Sequence, residues 1–135
     1  MRKYLLIFIS IFLVSNANAE TFEYEVSKVN YKNLVANLYL PKTNHKVPVV
    51  IAFGGSEGGL HTGNANGEMI APHGIAVLAL AYFKEDGIPQ TLDQIPMEYF
   101  VDAIDYIETQ PLVDATRIGV VAGSRGSEAQ KLQLF

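Results

Sequence analysis

The chain has 135 residues, 49% of them apolar, a formal net charge of −4 and no cysteine. Its length suits one small domain. The lack of Cys excludes disulfides, metal thiolates, a lipid-modified N-terminal Cys and a cysteine nucleophile. An acidic balance without a basic run argues against nucleic acid or an anionic membrane surface as partner.

Arg2 and Lys3 precede the apolar run Tyr4 to Val14, and Ser15 to Ala19 follows with small residues at Ala17 and Ala19. This pattern predicts a secretory signal peptide over residues 1–19, cleaved after Ala19, and therefore a secreted or periplasmic location. The run is too short to span a bilayer comfortably, so no stable membrane insertion is expected after cleavage. Loss of Arg2 and Lys3 with this segment moves the formal charge from −4 to −6.

Residues 20–46 read as an N-terminal β-hairpin and connector. Phe22, Tyr24 and Val26 alternate with polar residues, as do Leu34, Ala36, Leu38 and Leu40, with Asn30 to Asn33 as the turn between. Residues 47–135 read as a second unit that opens on Val47 to Phe53, a nearly continuous apolar run suited to a strand buried on both faces.

Gly54-Gly55-Ser56-Glu57-Gly58-Gly59 follows that run. Glycines just after a buried strand let the backbone approach a ligand and aim its N–H groups at it. As a phosphate cradle the loop fails, because no Gly-Lys-Ser/Thr follows and the dinucleotide spacing is absent. As one side of an oxyanion hole it fits, since that donor lies in the loop after the third strand of a serine hydrolase. A tight strand-to-helix connection with no chemical role is the alternative.

A helix interrupted by Pro72 is expected over Asn64 to His73, then a strand over Ile75 to Leu80 and a loop from Tyr82 to Ile95. Pro96 to Thr109 is the clearest helix, with apolar Met97, Phe100, Val101, Ile104 and Ile107 and a solvated acidic face of Glu98, Asp102, Asp105 and Glu108. Asp114 to Thr116 leads into the strand Ile118 to Val121, and the small-residue knot Ala122-Gly123-Ser124-Arg125-Gly126 comes next. Strand, sharp turn and helix in that order form a nucleophile elbow, with Ser124 at its tip and Ala122 where the first Gly of G-x-S-x-G is usual. Buried strands alternating with helices predict an α/β fold with parallel strands and helices on both faces.

Four blocks, PVVIAFGGSEGG, HGIAVLALAYF, IPMEYFVDAIDYI and RIGVVAGSRGSE, resemble in sequence and order the α/β-hydrolase domain of the acyl-CoA thioesterase and bile acid-CoA:amino acid N-acyltransferase (BAAT) family. The resemblance covers about Val47 to Glu128. It implies a partial α/β-hydrolase fold, Ser124 as nucleophile, and an oxyanion hole built from the backbone N–H of Arg125 and from the Gly55-Ser56-Glu57 region, at Ser56 and Glu57. It further implies acyl transfer from a small ester or thioester to Ser124, with no cofactor and no metal.

In that fold the acid and the histidine of the triad follow the serine, and nothing suitable follows Ser124 here. His61, just beyond the glycine-rich loop, is the only histidine expected near the elbow, and an ordinary loop histidine is its default reading. The chain is therefore expected to be the N-terminal part of a longer hydrolase, nearly inert at Ser124 without its partners. The C-terminal half of the sheet would be missing, leaving Ile118 to Val121 as an open edge prone to self-association. The alternative is a non-catalytic truncated product that binds or misassembles through that edge.

Overall fold

A computed structural model describes residues 20–93 and 95–123; the expected signal peptide, Gln94 and residues 124–135 lie outside it. The strands are β1 Tyr24–Lys28, β2 Val35–Pro41, β3 Val47–Phe53, β4 Ala76–Ala81 and β5 Val113–Ala122. The helices are α1 His61–Ile70, continued by a 3-10 turn Ala71–His73, and α2 Met97–Glu108. The strands form one sheet in the order β1-β2-β4-β3-β5. β1 and β2 are the expected hairpin, antiparallel with Tyr24 opposite Pro41 and Lys28 opposite Asn37. β2 runs antiparallel to β4, whereas β3 lies parallel to both β4 and β5.

The apolar run Val47 to Phe53 is β3 from end to end, and β4 is shifted by one residue from its expected span. β5 starts five residues earlier than its apolar stretch suggests. Val113 already pairs with Val47, and the ladder then shifts register before Val49 meets Ile118. Asp114 to Arg117 therefore occupy an irregularity that alternation could not mark. Within it, Asp114 accepts hydrogen bonds from the Thr116 N–H, the Thr116 hydroxyl and Arg117 Nε.

α1 begins at His61 rather than Asn64, directly after Gly59 turns the chain at φ 68°. Pro72 falls in the 3-10 turn, and Gly74 closes it in the left-handed region at φ 81°. α1 rests on the sheet face formed by Tyr39, Ala52, Val77 and Ala79. It approaches closely because Gly63 and Gly67 face inward: a Cβ on Gly63 would stand 2.8 Å from the Ala52 carbonyl, and one on Gly67 would stand 2.4 Å from the Tyr39 ring.

α2 covers the opposite face, where Val49, Ile51, Phe53, Leu78 and Leu80 form the larger core with Tyr99, Phe100, Ala103 and Ile107. The inward set differs from the expected one. Met97 and Val101 are 41% and 50% exposed, while Tyr99 and Ala103 are buried. Residues 99, 103 and 107 follow one another at i, i+4, and that row is the seam. The Tyr99 ring also has a polar task that hydropathy does not weigh: its hydroxyl donates to the Ala81 carbonyl and accepts from Val35 N–H at 2.9 Å. Val35 and Ala81 are cross-strand partners, so this one hydroxyl caps the β2–β4 ladder. The acidic face is solvated as expected, with Asp102 and Asp105 near Lys32 of the hairpin turn. Exposed pairs of this kind contribute little.

Among the described residues β5 pairs only with β3, on one side. Ile118, Val120 and Ala122 pack toward the α2 core, while Gly119 and Val121 are exposed.

Candidate active site

The parallel register decides what meets at the carboxyl end of the sheet. Ala52 lies beside Ala79, and Phe53 lies beside Ala122. The glycine-rich loop leaving β3 at Gly54 and the chain leaving β5 at Gly123 thus start level with each other on adjacent strands. In open parallel sheets ligands bind in the crevice outside these carboxyl ends. Two stretches 69 residues apart in sequence, from Gly54 to Gly123, are brought together by a single strand pairing.

The loop is held from three directions. Gly58 N–H donates to the Gly55 carbonyl at 3.3 Å, closing a turn, and Gly59 N–H donates to the Phe83 carbonyl at 3.0 Å. Gly58 needs its glycine twice over, for φ 65° and because a Cβ would stand 2.8 Å from Lys84 Cβ. Tyr82, the residue after β4, donates its hydroxyl to the Gly54 carbonyl at 3.1 Å. Its ring packs against Phe53, Phe83 and Phe100, so the aromatic core of the α2 face reaches up to the base of the loop. Burial, and then the nearby Glu57 charge, push the Tyr82 phenol above its ordinary range.

Ser56 and Glu57 are exposed on the loop, while Gly54 and Gly55 are buried. The Glu57 carboxylate folds back onto the loop, accepting Gly55 N–H at 3.0 Å and the Thr62 hydroxyl at 2.6 Å. The Thr62 hydroxyl, followed by the backbone N–H groups of Glu57 itself and of Gly55, holds this carboxyl below its usual range.

Of the residues expected to form the elbow, Ala122 is the half-buried last residue of β5 and Gly123 is exposed. Ser124, Arg125 and Gly126 lie outside the described residues. His61 is exposed in the first turn of α1, at the same end of the sheet as the loop. His45 precedes β3 and His73 precedes β4, which puts both at the opposite end. That end also carries a cleft of about 680 Å3 lined by Phe22, Leu40, Lys42, His45 and Leu112. It lies at the amino ends of β3 and β5, away from the loop. Sequence reasoning missed Tyr82 and Thr62, because their roles depend on which strand lies beside β3 and on where α1 begins.

The same fold is found in solved hydrolases. The dienelactone hydrolase-like promiscuous phosphotriesterase P91 from metagenomic libraries superposes with a TM-score of 0.62 at 18% identity, over 82% of this chain and 53% of that one. The esterase Est22 gives 0.62 at 16% identity, over 84% and 38%. At such identities the likeness defines the fold, which is a partial α/β-hydrolase fold.

Sequence relatives narrow the class. Residues 95–132 match the family described as BAAT / acyl-CoA thioester hydrolase C terminal. Mouse acyl-coenzyme A thioesterase 6 is 38% identical over 93 residues, 69% of this chain and 22% of the relative. Mouse acyl-coenzyme A amino acid N-acyltransferase 1 is 37% identical over 91 residues, 67% of this chain and 21% of the relative. The chain is similar to this thioesterase and acyltransferase family, and it spans about a fifth of the length of these curated relatives.

Proposed function

We propose that the chain carries the nucleophile and oxyanion side of a serine hydrolase or acyltransferase that acts on a small ester or thioester through an acyl-serine at Ser124. The observation that carries this reading is the register that sets Gly54 and Gly123 side by side at the carboxyl ends of β3 and β5. The chain that continues from Gly123 into the proposed nucleophile thus starts beside a loop whose backbone N–H groups can face a carbonyl oxygen. Arg125 N–H supplies one donor and the Ser56-Glu57 stretch the other, with Ala122, Gly123 and Gly126 giving the turn its narrow waist. The named relatives, a thioesterase and an N-acyltransferase, support an acyl donor as substrate. Release from a predicted export signal would place the protein away from the cytoplasmic CoA pool, so a plain ester or a short acyl donor suits it as well as a CoA thioester.

Attack by Ser124 requires a base to take its proton. Of the three histidines only His61 lies at this end of the sheet, and with these residues alone Ser124 reacts slowly. Prolonged treatment of the full chain with a fluorophosphonate, read by mass spectrometry against Ser124→Ala, tests the reading. The expected result is a phosphonylated Ser124 peptide, absent in the variant. An unlabelled Ser124 would favour the second reading, a non-catalytic product that associates through β5. The exposed Val121 on that edge strand motivates this alternative. Sedimentation would then show concentration-dependent association, and a stable monomer would count against it.

A further inference from the structure

The peptide joining Gly54 and Gly55 is gripped on both of its polar sides. Its carbonyl oxygen accepts the buried Tyr82 hydroxyl at 3.1 Å, and its N–H donates to Glu57 Oε2 at 3.0 Å. In a trans peptide these two groups point in opposite directions within one plane. Two partners on opposite sides therefore fix the rotation of that plane, which neither could do alone. Glu57 is itself anchored, through its other oxygen, by the Thr62 hydroxyl at 2.6 Å in the first turn of α1. The fit is close, since a Cβ on Gly54 would stand 2.1 Å from Glu57 Oε1.

The carboxylate thereby occupies the Gly55 N–H, one of the three backbone donors in the run Gly55-Ser56-Glu57. We propose that Glu57 is a positioning residue which, with Tyr82, locks the Gly54–Gly55 peptide and takes the Gly55 N–H, so that the loop's donor to a substrate's developing oxyanion comes from the Ser56-Glu57 stretch. This donor role rests on the serine hydrolase reading above; the locked peptide does not. A donor held in place before reaction needs no reorganisation in the transition state, which is where such donors have their effect.

Two other ionisable groups lie near the carboxylate, His61 on α1 and Tyr82 at the end of β4, while Lys84 and Glu85 lie against Gly58 and Gly59. A pH titration must therefore be read residue by residue, in nitrogen–proton correlation spectra of the full chain.

The Gly55 amide resonance is expected to move as pH falls through the Glu57 titration, below the usual carboxylate range. Glu57→Gln should abolish that movement. Gly54→Ala should abolish it too, because the new methyl collides chiefly with the far end of the flexible Glu57 side chain and leaves the strands in place. Fluorophosphonate labelling of Ser124 should slow on the order of 100-fold in Glu57→Ala, the scale of misplacing a catalytic group by about 1 Å. Glu57→Gln, which keeps a carbonyl acceptor, should recover part of it.

A Gly55 resonance that does not titrate overturns the proposal, as does a labelling rate unchanged in Glu57→Ala. If Ser124 is unlabelled in every form while Gly55 still titrates, the hydrolase reading and the loop's donor role fall together and the locked peptide stands.

Discussion

The two faces of the sheet are packed by opposite means. Against α2 the sheet presents Ile51, Phe53, Leu78 and Leu80, and the helix answers with Tyr99, Phe100 and Ile107. Against α1 it presents Ala52, Val77 and Ala79, and the helix answers with Gly63 and Gly67. One face is filled by large side chains, the other by removing side chains until backbones nearly touch. The alternation of a single strand produces both, because Ile51 and Phe53 point one way and Ala52 the other. Stability on the first face depends on volume that is present, and on the second on volume that is absent.

The largest effect is expected from Phe100→Ala, which removes a buried ring in contact with Phe53, Tyr82 and Tyr99. The loss should be about 3–5 kcal/mol by denaturant titration. Gly67→Ala should also destabilise, by about 1–3 kcal/mol, since the buried Tyr39 ring must shift to admit the methyl. That outcome runs against helix propensity, which favours Ala by about 1 kcal/mol. A stabilised Gly67→Ala would break the contrast between the faces.

Tyr99→Phe keeps the volume of the α2 face and deletes only its hydroxyl. About 1–3 kcal/mol should be lost, because the Val35 N–H and the Ala81 carbonyl are left without that partner. A neutral result would mean that the ring alone accounts for Tyr99.

The smallest effect lies on β5, outside both faces. The Thr116 hydroxyl, then Arg117, hold the Asp114 carboxyl down at about 2. A depressed carboxyl contributes stability above its ordinary value near 4, and the contribution disappears as pH falls toward 2. Thermal melts of Asp114→Asn and the unmodified chain should therefore differ at neutral pH and converge near pH 2.

Legibility in the sequence follows the same division. The run Val47 to Phe53 was readable to the residue because both of its faces are apolar, and α2 was readable to within a residue at each end from its spacing. Which residues of α2 turn inward was not, because hydropathy ranks Met97 and Val101 above Tyr99, whose buried hydroxyl finds two backbone partners. The inward glycines of α1 left no signal, since a missing side chain looks the same in a turn and in a close approach. Placement of the glycine-rich loop was legible as strand followed by loop. Its grip by Tyr82 and Glu57 was not, because it requires β4 to lie beside β3.

The strand order has a consequence for how the chain assembles as it is made. β2 and β3 are consecutive in sequence yet never neighbours, since β4 lies between them. Once the local hairpin has formed, β2 waits for a partner encoded about forty residues later, and β3 waits for the same strand. No sheet beyond the hairpin can close before Ala81 has emerged, so β4 is the keystone of synthesis and early folding. Such non-local pairing slows folding. Substitutions in the centre of β4, at Leu78 for example, should therefore retard refolding, whereas substitutions in β1 should mainly speed unfolding.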